Sequence, residues 1–233
     1  MNIKMLKVVF SGLILFVSGF ANATLITQEF NDGDSLAAWV VDRSAPAGFE
    51  IINNELVMSV SGPSFQDDFK NTHGMKLNIG QSTYLSIDMF IDSAWTNNER
   101  YGGMWAQLID SIGDLSGWPL IEFKGTEGVK TWDNFGWQTT GTNINYDEFN
   151  NFKLQITGNG VEYYLNNTLL YTDSVTDAKY FSNVLLNAKY EGNDFTVKYD
   201  NLVYGTVDVP EPSTLAIFAL GIIALASRRF KQQ

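Results

Sequence analysis

Hydrophobic side chains in the middle of this 233-residue chain recur at every second position. Leu85, Ile87, Met89 and Ile91 alternate with Tyr84, Ser86, Asp88 and Phe90. Phe152, Leu154 and Ile156 alternate with Lys153, Gln155 and Thr157, and Val161, Tyr163 and Leu165 with Glu162 and Tyr164. Phe195, Val197 and Tyr199 follow the same rule. A strand places successive side chains on opposite faces, whereas a helix repeats about every 3.6 residues. Each of these segments therefore buries one face and wets the other, as antiparallel sheets do. Asn53-Asn54, Gly158-Asn159-Gly160 and Asn166-Asn167 punctuate the strands. Asn and Gly tolerate the positive φ that tight hairpins require. No internal stretch has the pattern of an amphipathic helix. Many short strands at this spacing predict an all-β fold, a two-sheet antiparallel jelly-roll sandwich, over residues 24–206.

The two ends follow different rules. Lys4 and Lys7 precede a mostly apolar run from Val8 to Phe20, which ends at Ala21-Asn22-Ala23. A basic start, a short apolar helix and a small-x-small site make residues 1–23 a secretory signal peptide, with cleavage by signal peptidase expected before Thr24. Residues 207–233 hold Val209-Pro210-Glu211-Pro212-Ser213, a run from Thr214 to Ala226 that is apolar after Thr214, and Arg228-Arg229 with Lys231. The prolines block helix and sheet before the run. The run is a hydrophobic helix short for a full span, and the arginines would stay on the cytoplasmic side.

That order of spacer, helix and basic stop resembles the PEP-CTERM sorting signal of Gram-negative bacteria, on the strength of Pro210-Glu211-Pro212, the apolar run and Arg228-Arg229. The resemblance implies that an exosortase, a membrane-embedded protease, cleaves near the proline motif and removes the helix. It also implies a link to exopolysaccharide or biofilm. The precursor is then expected to be tethered to the inner membrane through its tail, and the product to reach the cell surface or extracellular matrix.

The middle domain resembles the concanavalin-A-like, laminin-G-like jelly rolls. The resemblance rests on Glu29-Phe30-Asn31-Asp32-Gly33 with Trp39, on Asn54-Glu55-Leu56-Val57-Met58, on Gly160 to Asn167, and on Tyr199-Asp200-Asn201-Leu202-Val203-Tyr204. These strings describe a scaffold and carry no activity of their own.

Charge and composition narrow the chemistry. The net charge is −11, and both termini are basic, so the central domain is more acidic still. That argues against nucleic acid as a partner. Cysteine is absent, which excludes thiol chemistry and Cys-based metal sites. His73 is the single histidine and is expected in a loop. The two glutamates that jelly-roll glucanases carry on one strand are missing: Asp88 and Asp92 have no Glu partner on their strand, and Glu122 is a lone acid. Gln107-Leu108-Ile109 lacks the histidine of a lyase-like Gln-x-His string. The domain is therefore expected to be a non-enzymatic β-sandwich associating with exopolysaccharide. The alternatives are a jelly-roll polysaccharide lyase or glycoside hydrolase, and a structural adhesin with no small ligand.

Sugar binding points to the tryptophans. Trp95, Trp105, Trp118, Trp132 and Trp137 fall close together with Asp133 among them, and flat apolar rings beside carboxylates and amides suit sugar rings. Trp132 and Trp137, flanking a turn-like string, are the first candidates for an exposed platform. A structural Ca2+ is the candidate cofactor, with Asp32 and Asp34 on an acidic turn and Asp200 on the closing strand as its hard oxygen ligands. Mass spectrometry of surface-extracted protein is expected to find Thr24 at the N-terminus and no peptide containing Arg228-Arg229. A mature protein retaining that pair would show that the tail is not removed.

Overall fold

The computed structural model describes residues 23–62, 72–133, 135–140, 144–175 and 177–207. The expected signal helix, Ala21 of its cleavage site and the sorting tail from residue 208 onward lie outside these residues. Thr24–Thr206 forms one compact unit. Its strands are β1 (Thr24–Gln28), β2 (Val40–Arg43), β3 (Gly48–Ile52), β4 (Glu55–Val60), β5 (Thr72–Ser82), β6 (Tyr84–Ile91), β7 (Tyr101–Asp110) and β8 (Leu115–Gly117). The second half contributes β9 (Leu120–Lys124), β10 (Gly128–Asp133), β11 (Gly136–Thr139), β12 (Glu148–Thr157), β13 (Gly160–Leu165), β14 (Thr168–Asp173), β15 (Ala178–Lys189) and β16 (Phe195–Thr206). The one helical turn among the described residues is a 3-10 turn at Ser93–Trp95.

Two eight-stranded antiparallel sheets result. The first runs β14-β13-β12-β6-β16-β4-β3, with β1 also on β16. The second runs β11-β10-β9-β7-β15-β5-β2, with β8 on β7. The all-β sandwich expected from the alternation is the fold observed. No helix among the described residues is long and apolar enough to cross a membrane. The expected tail helix lies outside them.

Local chemistry places the turns. Asn53 and Asn54 have φ of 55° and 59°, closing the two-residue hairpin between Ile52 and Glu55. Asn166 and Asn167, at 48° and 64°, do the same between Leu165 and Thr168. Paired positive φ values match the right-handed twist of the flanking strands. Gly160 has φ of 120°, and a Cβ there would sit 2.1 Å from the Asp173 carbonyl oxygen, so no other residue fits that hairpin without a shift.

The core fills the space between the sheets. Leu85, Ile87, Met89 and Ile91 from β6 are fully buried, as are Phe152 and Leu154 from β12. They pack with the inward residues of the second sheet, including Met104, Ala106, Ile121, Phe123, Val184 and Leu186. At about 25 cal/mol per Å2 of apolar surface removed from water, this layer is the main source of stability in a chain without disulfides.

One polar contact bridges the layers. Tyr199 of β16 is fully buried, and its hydroxyl reaches across to the carbonyl oxygens of Asn187 at 2.9 Å and Gly103 at 3.1 Å. Asn187 and Gly103 face each other on β15 and β7. The hydroxyl has one proton to donate, shared between two acceptors. Burial raises its pKa far beyond the usual phenol range, so it stays a donor at all ordinary pH values. Tyr199→Phe leaves both carbonyls without this donor and is expected to lower stability by about 1–3 kcal/mol. Urea unfolding with an unchanged m-value would measure it.

Candidate functional site

Residues that alternate out of phase with the core point away from it, and on the second sheet they form three transverse rows. In the first row, Leu185 on β15 faces Trp105 on β7, Trp105 faces Leu120 on β9, Leu120 faces Trp132 on β10, and Trp132 faces Trp137 on β11. In the second, Gly74 on β5 faces Asn187, which faces Gly103, which faces Glu122, which faces Lys130. In the third, Thr72 faces Lys189, Lys189 faces Tyr101, and Tyr101 faces Lys124. Successive rows are two residues apart, roughly 6.7 Å along the strands.

The first row walls an apolar cleft of about 440 Å3, lined by Trp105, Trp118, Leu120, Trp132 and Trp137 with Asp42 and Arg43 at one end. Trp132 and Trp137 meet edge to face at 5.3 Å, and Trp137 is 43% exposed. The Arg43 guanidinium lies 4.1 Å from the centre of the Trp105 ring. An adjoining depression of about 430 Å3 shares Trp105 and Trp137 and is lined by Glu122, Asn187, Tyr101, Lys124, Lys130 and Lys189, with Thr72 at its edge.

Glycine makes room for this depression. A Cβ on Gly103 would lie 2.6 Å from the Glu122 Cβ and 2.5 Å from the Ile121 carbonyl oxygen. Glu122 can therefore lie flat against a bare backbone. Its residue is 6% exposed. Burial pushes its carboxyl up to about 7, against the opposing pull of Lys130, Lys189, the Asn187 amide and Lys124. Within this depression two buried polar atoms have no hydrogen-bond partner, the Asn187 Oδ1 and the Trp105 Nε1. A carboxyl that titrates near neutrality, in a cleft with aromatic walls and unused donor and acceptor groups, is equipped to bind hydroxyls and pass a proton.

The structure brings together four of the five candidate tryptophans. Trp105, Trp118, Trp132 and Trp137 share the cleft. Trp95 does not belong to it. It sits on the 3-10 turn capped by Asp92 and is buried in the core, 5.4 Å from the Phe195 ring and 6.0 Å from Phe123. Asp133 is also misplaced by the sequence reading. It points inward, and its Oδ1 accepts from the backbone nitrogens of Phe135 at 2.8 Å and Gly136 at 2.9 Å, while Oδ2 accepts from the Tyr171 hydroxyl. It shapes the β10–β11 turn. His73 is on a strand and buried, with Nδ1 2.8 Å from the Ala45 carbonyl oxygen, and not in a loop.

The candidate calcium ligands are engaged separately. Asp32 Oδ1 accepts from the Asn54 nitrogen, Asp34 Oδ2 from the Asn31 nitrogen, and Asp200 Oδ1 from the Asn201 nitrogen. No group of three or more acidic or histidine side chains suited to a metal ion occurs among the described residues. Asn187, Lys124 and Lys130 were not singled out by the sequence reading, and Glu122 was read only as a lone acid. The available signal was their phase: each sits at an outward position of a strand whose neighbours are apolar.

Comparison with known proteins bears on both parts of the chain. Residues 208–229 match the PEP-CTERM protein-sorting motif, so the chain is an exported protein sorted by an exosortase. No curated protein matches the chain. Among solved structures it is similar to a β-glucanase of Bacillus licheniformis, at 14% identity over 80% of this chain and 99% of that one, with a TM-score of 0.53. An endo-1,3-β-glucanase (laminarinase) catalytic domain from Thermotoga petrophila gives 14% identity, 79% and 98% coverage, and a TM-score of 0.56. A transglycosylase gives 9% identity, 81% and 86% coverage, and a TM-score of 0.58. These likenesses establish the concanavalin-A-like jelly-roll fold. They also overturn the expectation of a non-enzymatic domain, because these three solved chains that share its fold, two glucanases and a transglycosylase, are enzymes.

The raised carboxyl of Glu122 has a signature in stability. A folded-state pKa above the unfolded value means that the folded protein binds the proton more tightly. This contribution is complete below about pH 4.5 and is lost as pH rises through about 7. Glu122→Gln mimics the protonated form. Its melting temperature is expected to match the wild type near pH 4.5 and to exceed it at pH 8. Parallel melting curves across that range would show that the carboxyl is not held up.

Proposed function

We propose that the sandwich is a polysaccharide-cleaving enzyme that works at the cell surface or in the extracellular matrix after its tail is removed. The sugar chain lies along the Trp105–Trp132–Trp137 cleft; Glu122 gives its proton to the glycosidic oxygen as the C–O bond breaks, and a water molecule adds at the anomeric carbon and returns a proton to the Glu122 carboxylate. The observation that carries this reading is the placement of Glu122. It is a buried carboxyl with a pKa near 7, on the floor beside an aromatic cleft, where a protonated acid is available at neutral pH. The glucanase and transglycosylase neighbours support it by showing that this fold hosts such chemistry.

The geometry constrains the mechanism. Asp42 is the other carboxylate lining the two cavities. It shares a row with Glu122, four strands away through Gly74, Asn187 and Gly103. At about 4.8 Å per strand the separation is roughly 19 Å. Paired-carboxylate glycosidases need about 5–10 Å. Glu122 therefore works without a second carboxylate of this cleft across the bond, and its neighbours Tyr101, Asn187 and the lysines orient the substrate.

The full chain, purified in mild detergent, is expected to generate new chain ends from bacterial exopolysaccharide or soluble β-glucan. Glu122→Gln is expected to lower the rate about a hundredfold or more while keeping polymer affinity. A Trp132→Ala/Trp137→Ala pair is expected to weaken affinity instead. Absence of new chain ends from every polymer, by both reducing-end and unsaturated-product assays, would sink the catalytic reading.

A further inference from the structure

We propose that the polymer held on this face is anionic, carrying carboxylate or sulfate groups that seat among Lys124, Lys130 and Lys189. The inference rests on the glycan reading above and narrows it to a substrate class.

The chain as a whole is acidic, with 26 Asp and Glu against 15 Lys and Arg. The lining of two cavities on one face reverses the balance, with three further carboxylates, Glu99, Glu127 and Glu191, on the rim. Arg43, Lys124, Lys130 and Lys189 line these cavities, against Asp42 and Glu122. Lys124 and Lys130 come from the β9–β10 hairpin, and the sheet brings Lys189 of the distant β15 beside them.

Lysine ammonium groups ordinarily trail into water. Here aromatic rings hold them in the wall. Lys124 and Lys189 each lie 5.1 Å from the centre of the Tyr101 ring, and Lys130 lies 4.5 Å from that of Trp137. Their side chains are only 16%, 19% and 12% exposed. The carboxylates that pair with them lie farther out. Glu127 bridges Lys124 and Lys130 at 38% exposure, Glu99 is 3.9 Å from Lys124 at 48%, and Glu191 meets Lys189 at 25%. Cations thus sit within the site and their counter-charges on its rim. Rim ion pairs in contact with water are weak and readily exchanged.

A neutral polymer covering the depression would strip water from three ammonium groups and leave them only the rim glutamates that already pair with them. A carboxylate or sulfate on the sugar supplies an anion in place of a rim glutamate. The buried Asn187 Oδ1 and Trp105 Nε1 remain for neighbouring hydroxyls. Glu122 does not oppose the anion while protonated.

The test is affinity of the full chain, in mild detergent at low and physiological salt, for polygalacturonate, carboxyl-reduced polygalacturonate, dextran sulfate, dextran and laminarin. Tighter binding of polygalacturonate or dextran sulfate than of its uncharged counterpart, by about tenfold or more and weakening with salt, is the expected result. Polygalacturonate alone identifies carboxylate as the anion, and dextran sulfate alone identifies sulfate. A Lys124→Gln/Lys189→Gln variant with an unchanged melting temperature is expected to lose that preference. Should melting fall, Lys130→Gln alone provides the same comparison. Equal affinity for charged and uncharged polymers, or a preference that survives the lysine substitutions, overturns the inference while leaving polymer cleavage intact. Binding of none of the five with cleavage of another, neutral polymer overturns it as well. Neither binding nor cleavage of any polymer overturns both readings.

Discussion

The Tyr199 hydroxyl is anchored in one sheet and ends on the backbone of the other, at the Asn187–Gly103 pair. That pair is the floor on which Glu122 lies. Gly103 has no side chain, so Glu122 packs against bare backbone. Such a floor has little side-chain packing of its own and is fixed from beneath by a single buried donor. The site and the core are thus one construction. A shift of β16 relative to β15 would move the Asn187 amide and the surface under Glu122 together.

Much of the scaffold was legible in the alternation. The inward residues of β6, β12 and β13 are those predicted, and the Asn53-Asn54 and Asn166-Asn167 hairpins fall where positive φ was expected. Both signals are local, and local rules read well from a chain. The site was legible only where side-chain type announced it: four of the five clustered tryptophans share the cleft. Trp95 failed because its place depends on the rings of Phe123 and Phe195, which come from β9 and β16. Asp133 failed because carboxylates that tie down a turn and carboxylates that face a ligand look alike in sequence. His73 failed because Asn71-Thr72-His73-Gly74 reads as a turn, yet Gly74 pairs with both Asp42 and Asn187 inside a sheet. Glu122 was noticed and set aside, since the search was for a pair of carboxylates. What distinguishes it is burial beside Gly103, a contact across two strands.

Charge shows a similar division. A strongly acidic exported domain is expected to repel acidic polymers, and averaged over its surface this one would. Sheet register concentrates the opposite charge in the lining of one face, where the β9–β10 hairpin adds two lysines and the distant β15 a third. Net charge therefore describes how the molecule behaves at a distance, and the register describes what it holds in contact.

The position of β16 in the first sheet has a bearing on when this protein can exist as a folded object. That strand lies between β6 and β4 and also carries β1, yet it is the last strand among the described residues and ends at Thr206, just before the sorting motif at 208–229. Until residues 195–206 have been delivered, β1, β4 and β6 have no common partner and the Tyr199 tether is missing. Folding of the domain is therefore a late event, completed only after nearly all of it has been exported, and the sorting motif is the next segment of the chain to follow.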